Sequence, residues 1–84
     1  MDSSTVSLLR LRVVAEADPG AIARVIERFQ NFNFVPRRVV AEFGSDDKMH
    51  IQVDICGMLE SQLGLIAQKV AHSTSIIGAH WHRL

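Results

Sequence analysis

The chain of 84 residues has one cysteine, no tyrosine, no surplus of charge and no long apolar run. Each shortage excludes something. The lone Cys56 has no partner for an internal disulfide, so a reducing cytoplasm is the expected setting. Nine basic residues balance nine acidic ones, which leaves no net field to draw the chain to DNA, RNA or an anionic membrane. No apolar run reaches the roughly 18 residues of a membrane span. The opening MDSSTVS lacks the charged-then-apolar order of a secretory signal. No linker, low-complexity stretch or charge run divides the chain, so residues 1–84 are read as a single cytoplasmic domain.

Apolar material is plentiful: 48% of the residues are hydrophobic, enough to fill a core. A domain this small buries proportionally less surface than a larger one, so burial against a partner or a second copy is expected.

Two periods alternate along the chain. Val6 to Val14 places Leu9, Leu11 and Val13 on one face and Leu8, Arg10 and Arg12 on the other, which is strand alternation. Ile22, Val25, Ile26 and Phe29 then recur at helical spacing. Asp18 can cap that helix and Pro19 suits its first position, so it is expected from Pro19 to Asn31 or Phe32. Asn33 tolerates the left-handed conformation that ends many helices. Val35 to Phe43 reads as a second strand with Arg37, Val39, Ala41 and Phe43 on one face, and Pro36 favours a sheet edge. A turn at Gly44-Ser45-Asp46-Asp47 leads into a third strand, where Met49, Ile51, Val53 and Ile55 alternate. Leu59, Leu63, Ile66 and Val70 form a second helical stripe across Met58 to His72, broken at Ser73-Thr74. Ile76 to Leu84 is the last strand, with Ile77, Ala79 and Trp81 facing one way and Ile76, His80 and His82 the other.

The order β-α-β-β-α-β with right-handed crossovers predicts an α+β, ferredoxin-like sandwich. Strands 1 and 3 are central, strand 4 lies beside strand 1 and strand 2 beside strand 3. Both helices are expected on the face carrying Leu9, Leu11, Val13, Val39, Phe43, Ile51, Val53 and Trp81. This fold hosts many activities, so function must be read from its sites.

Asp18-Pro19-Gly20-Ala21-Ile22-Ala23-Arg24-Val25-Ile26-Glu27-Arg28-Phe29, followed by Asn33-Phe34-Val35, resembles the opening of an ACT domain. That family has a strand, a short loop with Pro-Gly, an apolar pair, Arg-Val, and a Gly-Phe turn into the second strand. The resemblance covers essentially the whole chain. Its short length, the Arg24-Val25 placement and the Asn33-Phe34 turn are most similar to the small regulatory subunits of acetolactate synthase, whose large subunit uses thiamine diphosphate in branched-chain amino-acid synthesis. Free-standing ACT proteins share the same features. The resemblance implies a non-catalytic regulatory domain without a cofactor of its own, acting as a homodimer through strand 2 and on a larger catalytic subunit. It also implies an amino-acid effector site formed by Ala17, Asp18, Pro19, Gly20, Ala21 and Ile22 together with Asn33 and Val35 of the dimer mate.

Physically, backbone N–H groups and the helix dipole at such a loop attract a carboxylate, and Gly20 admits close approach. The polar side chains that complete this site in ligand-binding family members correspond here to Ala17 and Val35, which offer no hydrogen bond. An unpartnered charge there costs several kcal/mol (on the order of 2–7 for a polar group alone). Weak or absent binding of free amino acids is therefore expected. The same residues also suit a helix start and a dimer contact and nothing more.

The face away from the helices is expected to carry Leu8, Arg10, Arg12, Val14, Arg38, Val40, Glu42, His50, Gln52, Asp54, Ile76, His80 and His82. Its mixture of apolar and charged groups suggests a partner interface built on Leu8, Arg10, Arg12, Arg38, Val40, His80 and His82. Cross-strand charge pairing on a wet sheet is the simpler reading. His80-x-His82 lacks a legible third ligand, so no metal site is expected. Acylphosphatase-like catalysis would need an arginine in the Glu16–Ala21 loop, and no nucleophile–base set is legible; Cys56 suits a small core position. An RNA-binding sheet would display aromatics, whereas Phe43 and Trp81 are expected towards the helices. No catalytic residue is assigned.

Overall fold

The computed structural model describes residues 8–84. Six elements follow in order: β1 (Leu8–Ala15), α1 (Ala21–Asn31), β2 (Arg38–Phe43), β3 (Met49–Cys56), α2 (Glu60–Ala71) and β4 (Ile76–Arg83). The sheet is antiparallel throughout, in the order β2-β3-β1-β4, with the helices on one face. This is the βαββαβ arrangement that the alternating periods predict. Val6 and Ser7, which that reading places in β1, lie outside the described residues.

Every second residue of the two central strands enters one core. Leu9, Leu11 and Val13 of β1 and Ile51, Val53 and Ile55 of β3 are buried against Val25 and Phe29 of α1 and Leu63, Ile66 and Val70 of α2. Register aligns the contributions, pairing Leu11 with Val53 and Val13 with Ile51. A shift of one residue would turn all six outward, so the apolar alternation pins the pairing.

Element boundaries depart from the expected ones for local reasons. Helix α1 starts at Ala21, not Pro19, because Pro19 and Gly20 form a turn whose carboxylate, from Asp18, receives the Gly20 N–H at 2.9 Å. Strand β2 starts at Arg38 and leaves Val35, Pro36 and Arg37 outside it. Leu59 precedes α2 with extended backbone (φ −70°, ψ 144°), so it falls off the helical stripe and is exposed, while Met58 takes the core position. Asn33 does adopt the left-handed conformation, with φ 60°.

Two placements are overturned. Ile76 pairs with Ala15 and packs against the core, whereas Ile77 is exposed. A bulge between Val14 and Ala15 inserts one residue into β4 and exchanges the two isoleucines between faces. On β2, Val39 and Phe43 do share the helix side with Val53 and Met49, but they remain 40% and 65% exposed. The helices bury β1 and β3 and do not reach over β2.

This division is measurable. Phe29→Ala should lower the unfolding free energy by about 3–5 kcal/mol, whereas Phe43→Ala should change it by less than about 0.5 kcal/mol at concentrations where the chain is monomeric. Urea denaturation of the two variants checks both.

Candidate functional site

Two places concentrate polar chemistry: the loop between β1 and α1, and the sheet face opposite the helices. The loop is organised by Asp18. Its Oδ1 accepts the Gly20 N–H at 2.9 Å, and its Oδ2 accepts the Ser75 hydroxyl at 2.6 Å and Arg24 Nη1 at 2.7 Å. Its carbonyl accepts the Ala21 N–H at 3.0 Å, and Glu16 N–H donates to the Ser75 carbonyl at 2.8 Å. The Ser75 hydroxyl, the Gly20 N–H and the Arg24 guanidinium together hold the Asp18 carboxyl far below the ordinary aspartate value of 3.8. One carboxylate thus joins the β1–α1 loop, the first turns of α1 and the α2–β4 junction.

Gly20 has an ordinary backbone conformation, with φ −85°. A Cβ on it would meet the Arg24 guanidinium at 3.3 Å, so the space beside the glycine is taken by this chain's own arginine. Ala17 and Pro19 are exposed, Ala21 is buried and Ile22 half-buried. Asn33 is exposed and Val35 is 88% exposed. At one end of the sheet Ala15 pairs with Met49 and Met49 with Phe43; at the other Arg38 pairs with Asp54 and Asp54 with Arg10. The Ala17–Ile22 loop continues from the first end and Val35 leads into the second, roughly 17 Å away at 3.4 Å per residue. A single chain does not bring the two halves of the expected effector site together.

The opposite face is arranged in rows set by register. One row runs Arg38–Asp54–Arg10–His82 and the next runs Val40–Gln52–Arg12–His80. Arg10 grips Asp54 with two bonds, Nε to Oδ1 at 2.7 Å and Nη2 to Oδ2 at 3.0 Å. The Gln52 amide oxygen accepts from the same two nitrogens at 3.2 Å. Asp54 is only 6% exposed although it lies on the face without helices. Arg10, and beyond it Arg38 and Arg12, hold its carboxyl below the ordinary value. Cys56 pairs with Leu8 and shares this face, which corrects its placement as a small core residue.

Sequence reasoning placed Arg10 and Asp54 on one face but did not join them, and it missed Ser75 and Arg24 as partners of Asp18. Ser75 is 57 positions from Asp18, beyond any local pattern. A groove of about 660 Å³ between α2 and β4, lined by Gly64, Ala67, Ala71, Ala79 and Trp81, was also missed. The small residues spaced along α2 were its only signal. Among the described residues, no three His, Cys, Asp or Glu side chains gather as a metal site would require. No helix among them is long and apolar enough to cross a membrane.

A family model for ACT-like domains matches residues 2–84. The chain belongs to the ACT-like domain family. No curated protein matches it by sequence. Among solved structures, this ACT-like domain is similar to the C-terminal domain of the MgtC protein from Mycobacterium tuberculosis, with a TM-score of 0.79 at 12% identity over 100% of this chain and 94% of that one. It is also similar to the ACT domain of GTP pyrophosphokinase from Chlorobium tepidum, with a TM-score of 0.75 at 17% identity over 93% and 100% of the two chains. A homoserine dehydrogenase from Thiobacillus denitrificans matches with a TM-score of 0.76 at 17% identity, and the ACT-like domain spans 95% of itself but only 18% of that enzyme. Such identities establish a shared fold. ACT domains are generally regulatory and non-catalytic.

Two outcomes follow from the carboxylates. The carboxyls of Asp18 and Asp54 are both lowered on folding, so their stabilisation is complete above the unfolded value near 3.8 and is lost as pH falls through their lower folded values. Thermal melts should therefore fall on acidification below about pH 5, and Asp18→Asn should flatten that slope. Arg10→Met strands the Asp54 carboxylate. It should lower the urea midpoint at neutral pH, by less than the loss of a fully buried pair would because the Arg10 side chain is 20% exposed.

Proposed function

We propose that this ACT-like domain is a non-catalytic regulatory subunit that pairs with a second copy along β2 and acts on a larger catalytic chain. Acetolactate synthase of branched-chain amino-acid synthesis is the first partner to test. The observation that carries the proposal is the bare side of β2. Val35, Val39 and Phe43 are exposed, no helix covers them, and β2 ends the sheet. An edge strand with unpaired backbone groups and apolar side chains is a hazard unless something covers it. A two-fold copy would cover both strands at once and extend the sheet to eight strands. Because β2 strands paired in this way run antiparallel, each Ala17–Ile22 loop would also approach the mate's Asn33–Val35, which a single chain holds at the far end of its own sheet.

The loop supports a structural or activating role over amino-acid sensing. Its Gly20 N–H, its carboxylate and its nearest arginine already satisfy one another, and Ala17 and Val35 add no polar group. A free amino acid would have to break those bonds to bind. A free-standing sensor is the competing reading. It predicts measurable heat on titration with valine, leucine or isoleucine, where the present proposal expects none tighter than about 1 mM.

The deciding assay adds the purified chain to the acetolactate synthase large subunit from the same source, with and without valine. Increased product formation and co-elution on a sizing column are expected, with no response to valine. Unchanged activity together with separate elution would remove acetolactate synthase as the partner. For the dimer, Val39→Lys should weaken self-association at least about tenfold, which is 1.4 kcal/mol, in sedimentation equilibrium. A wild-type chain that stays monomeric at high concentration would count against pairing along β2.

A further inference from the structure

The face opposite the helices has a charge arrangement that neither the dimer nor the loop uses. Three guanidinium groups, Arg10, Arg12 and Arg38, surround one carboxylate, Asp54, and Arg10 occupies both of its oxygens. Arg12 and Arg38 act on that carboxylate only through space. Both are exposed, and among the described residues neither has an ion pair of its own. Register sets Gln52 and His80 on either side of Arg12, so no acid stands opposite it. Glu42, the other carboxylate of this face, sits opposite His50, two rows from the Arg38–Asp54 pair. The cluster therefore carries about two uncompensated positive charges in a chain whose formal net charge is +0.

Beside this cluster the sheet is hollowed into a groove of about 360 Å³, where Val14 and Val40 meet Arg12, Gln52 and His80, with Glu42 and His50 also in its lining. Half-buried aliphatic side chains next to unpaired guanidiniums suit an occupant that is itself both apolar and acidic. The whole-chain neutrality gives nucleic acid no attraction at a distance, and among the described residues this face displays no Phe or Trp for base stacking, its rings being the imidazoles of His50, His80 and His82.

We infer that this face receives an acidic, amphipathic segment of a protein partner, with the partner's carboxylates on Arg12 and Arg38 and its apolar side chains against Val14 and Val40. Arginine is suited to the role because its planar fork grips a carboxylate through two parallel bonds. Asp54 then has a positioning purpose. By fixing Arg10 it keeps the middle of the cluster rigid, and Arg10 in turn occupies Asp54, so the buried carboxylate does not capture the two outer arginines. The inference deepens the regulatory reading, on which it rests for the existence of a partner, while its test does not need that partner's identity.

The first probe is a ten-residue peptide of alternating glutamate and leucine, titrated into the isotopically labelled chain and followed by backbone amide NMR. Saturable shifts are expected at Arg12, Val14, Gln52 and His80. They should weaken at least about tenfold in 0.5 M salt, where charges are screened within a few ångströms. Arg12→Gln should weaken binding about tenfold, and Arg12→Gln with Arg38→Gln should abolish it, each charge-assisted contact accounting for about a factor of ten or more. Both variants should stay folded with a cooperative melt at neutral pH, because neither side chain is buried. Shifts confined to β2 would mean that the peptide only extends the sheet edge, and would overturn the inference. Equal binding of an alternating lysine–leucine peptide, or undiminished binding by the double variant, would do the same. The second probe is the acetolactate synthase large subunit. Activation by wild type and double variant alike would sink the face while leaving the regulatory role intact. Peptide binding at the face without activation would sink that partner and leave the face standing.

Discussion

The structure depends on one unequal division: two helices bury the apolar side of β1 and β3 and leave that of β2 uncovered. Leu9, Leu11, Val13, Ile51, Val53 and Ile55 are removed from water, and burial on that scale is the main favourable term available to so short a chain. Val39 and Phe43 follow the same alternation and point to the same side, yet they stay in solvent. A strand with the residues of a core strand but without its cover needs another surface. The regulatory, self-pairing reading rests on that need.

Around this frame the polar groups are arranged so that few are left unmatched. No buried side-chain nitrogen or oxygen among the described residues lacks a hydrogen-bond partner. Asp18 shows how the loop achieves this: its carboxylate takes a backbone N–H, a hydroxyl and a guanidinium drawn from three segments. A loop satisfied from within is a good fixture and a poor receptor, because an incoming carboxylate must displace bonds that are already made. The ACT-like frame is thus kept around a loop whose carboxylate, backbone N–H and arginine bond to one another.

The far side of the sheet follows a different logic. Asp54 is buried on a face that no helix covers, because Arg10 lies across it with two short bonds and Gln52 closes the gap. Charge is concentrated there by geometry and not by composition. Nine positive and nine negative residues cancel over the chain, but antiparallel register draws three arginines from β1 and β2 around a single acid on β3. Such a local surplus acts at short range and favours a partner that is already near, which suits a subunit contact better than long-range capture.

Much of the fold was legible in the order of residues, because strand and helix periods are local and each leaves a repeating apolar mark. The six elements, the left-handed Asn33 and the two central strands all follow from those marks and from crossover handedness. The ACT-like resemblance at Asp18–Phe29 pointed to the family for the same reason: a loop and the helix after it are contiguous in sequence. Whatever depended on distance along the chain was not legible. A single bulge opposite Ala15 exchanged Ile76 with Ile77, since period alone cannot show where a strand gains a residue. The bond from Ser75 to Asp18, the clamp of Arg10 on Asp54 and the exposure of Val39 and Phe43 are facts of packing. The sequence by itself determined which residues could be buried and in what rhythm. Only the tertiary structure decided which of them found cover, because cover is supplied by elements that meet in space and not along the chain.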